Sequence, residues 1–176
     1  GNVQNVLEIM TSSELLRNNE QQVDQLIDHI RRLGKEEDQR FSAQRLSATL
    51  AEHHLMRAEY QPGIELLKHV TRDASPESEV WYQAHLLLGL AYHHVCDWDQ
   101  ARDVGQVVLD GPSRHLSNIS QVHARLAVAA HFSGDTREAD RRLQQAEFNA
   151  SQIRNDFDMV DACRTLSTCY LIRGDQ

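Results

Sequence analysis

A chain that matches itself every few dozen residues has few folds open to it, because each copy is one supersecondary unit that must find its second packing surface on a neighbouring copy. Here the match is anchored on Ala51, Gly89, Ala127 and Ser167, spaced 38, 38 and 40 residues apart. Leu50, Leu88, Leu126 and Leu166 stand one residue before the anchors, and His54, Tyr92, Ala130 and Tyr170 three after. Further on come Ala58-Glu59, Cys96-Asp97, Gly134-Asp135 and Gly174-Asp175, which read as turns. Tyr60, Trp98 and Thr136 follow, then the small residues Gly63, Ala101 and Ala139 early in a second helix.

Helix is the only regular structure this repeat can use. Three prolines and eight glycines in 176 residues leave long stretches of Leu, Ala, Gln, Glu and Arg, which have good helix propensity. No run alternates with period two, so strands are not expected. The spacing predicts helices near 3–17, 20–33, 37–58, 61–73, 76–95, 98–110, 117–133, 136–154 and 156–173. Ser75-Pro76 reads as an N-cap with proline at the first helical position, and Asp135 with Glu138 as a capping box. Two antiparallel helices approach closely only where small side chains meet, so Gly89 with Ala101 and Ala127 with Ala139 are expected contacts. Leu88, Tyr92 and Trp98 then fill the space between hairpins.

Leu88-Gly89, Tyr92, Trp98 and Ala101, with Pro112 after the second helix, resemble a tetratricopeptide repeat; Leu126-Ala127, Gly134-Asp135, Ala139 and Ala146 resemble the next one, and Ala51, Tyr60 and Leu67 a weaker copy. The resemblance covers 37–76, 77–114, 115–155 and an incomplete 156–176, with 1–36 a degenerate helical hairpin in a single continuous array. It implies an all-α fold of antiparallel helix hairpins stacked into a right-handed α-solenoid. The period exceeds the usual 34 of that family, and Gly105 stands where a bulky residue is expected. Longer repeats of this kind resemble the sensor arrays of bacterial signalling and transcription-regulating proteins. Because Gly174-Asp175-Gln176 stops at a turn, the native protein is expected to continue.

In the resembled family the first helices of successive hairpins line a concave groove. Carried over, the groove falls on Met56, Leu86, Leu90, His93, His94, Ala124, Val128, His131, Phe132 and Arg164. Such a lining, mostly apolar with a histidine seam, suits an amphipathic helix or apolar peptide from a partner protein, or self-association through the same face. It lacks the Lys and Asn pattern of members that clamp a C-terminal carboxylate.

Other function classes fit poorly. The formal charge is −8, with 18 basic residues scattered among 26 acidic ones, so direct nucleic-acid binding is not expected. No apolar run is long enough to span a membrane and no signal peptide is visible, so the chain reads as cytoplasmic. His93, His94, Cys96 and Asp97 are the one cluster that invites a metal, and a metal-binding protein is the alternative reading. Yet HExxH and paired CxxC spacings are both missing. His85 and His123 share a register across repeats, as do His93 and His131, which favours scaffold roles. Cys96, Cys163 and Cys169 read as buried small hydrophobes. No enzymatic motif and no cofactor are expected.

Overall fold

A computed structural model of the protein describes residues 37–76, 78–111 and 115–174. Among these the chain is all-helical: α1 (Glu37–Met56), α2 (Tyr60–Asp73), α3 (Glu79–His94), α4 (Trp98–Asp110), α5 (Leu116–Phe132), α6 (Thr136–Ser151) and α7 (Asp156–Arg173). The helices expected at 3–17 and 20–33, and Pro112, lie outside the described residues. The chain forms two compact units that divide between Ala84 and His85, inside α3.

The repeat register reappears in the backbone of the turns. Ala58, Cys96, Gly134 and Gly174 all have positive φ, at 59°, 58°, 80° and 74°. At three of these turns the same pair of hydrogen bonds closes the preceding helix. The N–H of Ala58, Cys96 and Gly134 reaches the carbonyl of Leu55, His93 and His131, and the next N–H reaches that of His54, Tyr92 and Ala130. This is the Schellman arrangement, which satisfies the last carbonyls of a helix by one left-handed residue. The residue that follows is already the N-cap of the next helix. Asp97 accepts from the Gln100 N–H at 3.2 Å and Asp135 from the Glu138 N–H at 3.0 Å. Glu59 makes no such cap, because its carboxylate is held by His54 at 2.6 Å and by Arg57 at 2.9 Å.

Two local expectations are corrected. The α3 helix starts at Glu79, not at Pro76: the Ser78 hydroxyl caps it by accepting from the Trp81 N–H at 3.2 Å, and the Ser75 carbonyl accepts from the Ser78 N–H. The capping box after Gly134 is only half formed. The Asp135 N–H is already spent on Ala130, which leaves the Glu138 carboxylate to Arg141 and Arg142.

In the first unit α1 packs on α2, burying Leu50, Ala51, Leu55, Ile64, Leu67 and Val70. In the second, α5 packs on α4, α6 and α7. Its core joins Ala124, Ala127 and Val128 to Leu143, Ala146 and Ala150, and to Ala162, Leu166 and Cys169. Alanines dominate because three helices converge on α5 and leave little room between backbones. The buried Ser120 hydroxyl reaches across to the Ala146 carbonyl at 2.8 Å. On the far side, Arg142 of α6 spans to Gln106 of α4 at 3.1 Å.

The tightest approaches fall at different glycines from the one expected. A methyl group on Gly89 would meet nothing nearer than Val104 at 3.7 Å, an ordinary contact, whereas one on Gly63 would lie 2.9 Å from Leu55 and 3.2 Å from the Ala51 carbonyl. One on Gly105 would lie 2.9 Å from Leu126. Gly105 is therefore where α4 closes on α5 of the next hairpin, which explains why no bulky side chain stands there. Gly63→Ala is expected to lower stability by about 1–2 kcal/mol through overpacking, while Gly89→Ala raises it by about 0.5–1 kcal/mol through helix propensity alone. Urea midpoints of the two variants test this; equal shifts would mean that crossing geometry is not what fixes these glycines.

Candidate functional site

The face of interest is built from the ends of α3 and α4 together with α5 and α7, all within the second unit. The Schellman turn at Cys96 sets Trp98 at the first position of α4, directly below the last turn of α3. His93 meets Trp98 edge-on, with ring centres 5.4 Å apart. Phe132, the last residue of α5, lies flat on the other side of Trp98, 4.8 Å away with the planes 8° apart. His94 and His131 flank the group, edge-on to His93 and Phe132. Phe132 keeps 53% of its surface in contact with solvent. A stacked pair so placed offers an apolar platform on one side while its other side is anchored in the core, since Trp98 packs against the α5–α7 cluster.

Beside the platform stands Arg125, near the middle of α5. It is the only formally charged residue in that 17-residue helix. Its guanidinium donates to the Gln121 side chain at 3.1 Å, and its charge adds to the burial that lowers His93 and His94. Burial lowers Arg125 to about 10, and the charge of Arg164 on α7 pushes it the same way. Arg164 itself is exposed and paired with Asp161 at 3.3 Å. Arg125 also lines a crevice of about 10 Å³ together with His85, Leu86, Gly89, Val122 and Leu126, which is room for about one water.

His93 and His123 are consequently poor cations. Burial, then Arg125 and His94, bring His93 down to about 4, and its buried Nε2 has no hydrogen-bond partner among the described residues. His123 is likewise held at about 4 by burial and by Arg142, whose guanidinium approaches its Nδ1 at 3.4 Å. His85 and His123, equivalent in the repeat, are both buried at 9% exposure.

The sequence-selected groove divides accordingly. His93, His94, His131, Phe132 and Arg164 gather around the platform or around Arg125, and Leu86 and Leu90 are partly exposed on α3. Ala124 and Val128 do not face outward: they are 0% and 2% exposed, covered by the helices that pack on α5. Met56 is 81% exposed and belongs to the first unit. Arg125 was not selected, although a lone cation in an otherwise uncharged helix is a legible signal. The proposed metal cluster has other duties, with His93 against Trp98, Asp97 capping α4 and Cys96 in the left-handed turn. Among the described residues no three His, Cys, Asp or Glu side chains are grouped to hold a metal ion. Of the cysteines only Cys169 is buried; Cys96 and Cys163 are exposed.

Among the described residues no helix is long and apolar enough to cross a membrane. Comparison of the sequence with protein-family models and with curated proteins gives no match.

Proposed function

We propose that this chain is a non-enzymatic interaction module of tetratricopeptide-like hairpins stacked as a right-handed α-solenoid, and that it works in the cytoplasm as the sensor part of a larger bacterial signalling or transcription-regulating protein. Four turns with one backbone conformation at the repeat spacing support the hairpin array. The observation that carries the binding role is the Phe132–Trp98 stack, a half-exposed aromatic pair at the edge of a face that also holds the partly buried Arg125. Aromatic residues anchored on one side and wet on the other are typical of hot spots, because they add contact area without paying much ordering entropy. The occupant is a segment of another protein, docked as an apolar or amphipathic peptide.

Phe132→Glu is expected to abolish partner capture while the far-ultraviolet circular dichroism spectrum stays helical, and Leu90→Glu to weaken it. The measurement is pull-down of the partner from lysate with wild-type and variant protein, followed by titration of the captured protein. Undiminished binding by Phe132→Glu would remove this face from the function.

A further inference from the structure

Arg125 stands on this face partly buried and without a carboxylate partner among the described residues. A guanidinium drawn partly out of water gains from a matching carboxylate, because each lost contact with solvent is costly for an unpaired charge. Arg125 has a single protein acceptor among the described residues, the Gln121 amide oxygen. The charge of Arg164, of the same sign, acts on it. Arg164 keeps its own partner, Asp161, on the exposed side of α7. Such an arrangement is strange in a chain with 26 acidic residues to draw on. It becomes reasonable if the missing carboxylate arrives with the partner.

We propose that the segment docking on this face carries an aspartate or glutamate side chain whose carboxylate closes on the unfilled edge of the Arg125 guanidinium, while an apolar side chain of the same segment packs on Phe132 and Trp98. This rests on the docking role given to the face above. The planar fork of arginine matches a carboxylate through two parallel hydrogen bonds, and a low-dielectric surround strengthens them. Phe132 lies seven residues beyond Arg125, about 10 Å along the helix, so the two contacts select a short motif rather than a single residue. His93, brought down to about 4 by burial and then by Arg125, is neutral at pH 7 and does not compete for the carboxylate. With a net charge of −8, the chain as a whole repels polyanions, which favours one acidic side chain over a phosphate-rich ligand.

The test is selection from a random dodecapeptide phage library on the intact protein, run in parallel on Arg125→Met and Phe132→Glu. Wild-type protein is expected to enrich peptides with an acidic residue near an aromatic or aliphatic one. The affinity of a synthetic selected peptide is expected to drop about ten- to hundredfold when its acid is changed to the amide, and equally when Arg125 becomes Met. Arg125→Lys, which keeps the charge and loses the fork, should fall between. Peptides that bind wild type and Arg125→Met alike, with no preference for acids, would overturn this proposal and leave the docking face standing. Peptides that also tolerate Phe132→Glu, or no enrichment at all, would overturn both.

Discussion

Acidification from pH 7 to 4 is expected to remove about 4 kcal/mol of stability from the second unit, a large part of the 5–15 kcal/mol typical of a domain. His93 and His123 each titrate near 6.5 when the chain is unfolded and near 4 when it is folded. Between those values the unfolded chain binds more protons, so stability falls as pH falls through this window and the loss is complete once both folded rings have protonated. Above 6.5 the rings are neutral in both states and contribute no slope. The full shift is worth about 3 kcal/mol per ring, and partial exposure reduces it to about 2. Glu138, held near 2 by Arg141 and Arg142, adds a loss of the same sign between its ordinary 4.5 and 2. Urea midpoints measured at intervals between pH 7 and 4 check this directly. The pair His93→Gln and His123→Gln is expected to flatten the profile; a wild-type midpoint that does not move would mean that neither ring is desolvated in solution.

The second large effect concerns Arg125 and has the opposite sign. Arg125→Met is expected to raise stability by about 1 kcal/mol, measured as an upward shift of the urea midpoint, because it replaces a partly buried cation lacking a carboxylate with an apolar side chain of similar length. Even when lowered to about 10, the guanidinium remains charged at neutral pH, so the burial penalty is present under all ordinary conditions. The hydrogen bond to Gln121 offsets part of it, and the methionine gives back the packing of the aliphatic stem. Destabilisation by this change would mean that the charge is satisfied within the chain. Stabilisation accompanied by loss of peptide binding would place Arg125 among residues kept for binding at the expense of stability.

The helices were legible because punctuation and periodicity agree. Asp97 and Asp135 are strong caps, the turns lie at repeat spacing, and breakers are few; each described helix therefore falls close to its expected place. The start of α3 shifted because Ser75 and Ser78 are both competent caps, and only tertiary context selects between them. Glycine roles were harder to read. Size alone says that Gly89 permits close approach, but whether a neighbour uses that permission depends on where the helix axes cross, and they close at Gly63 and Gly105. The face was half legible for the same reason. Register placed Ala124 and Val128 on the side of α5 that lines a groove, yet the helices packed on α5 cover them. Arg125 escaped notice because a cation is expected at the surface, and nothing in local sequence says that His93, His94 and Arg164 will surround it.

The left-handed turns carry one more consequence. Ala58, Cys96 and Gly134 each sit two residues ahead of the helix they introduce, whatever that helix's length. Those helices differ, at 14, 13 and 16 residues. One end of each of these three hairpins is thus a fixed joint of constant geometry, and the differences in length, including the two residues by which the last period exceeds the others, fall away from it. Since Trp98 and Phe132 both abut the fixed end, the platform they form is insulated from changes in chain length, and a lineage of such proteins can vary its helices while keeping the same recognition edge in place.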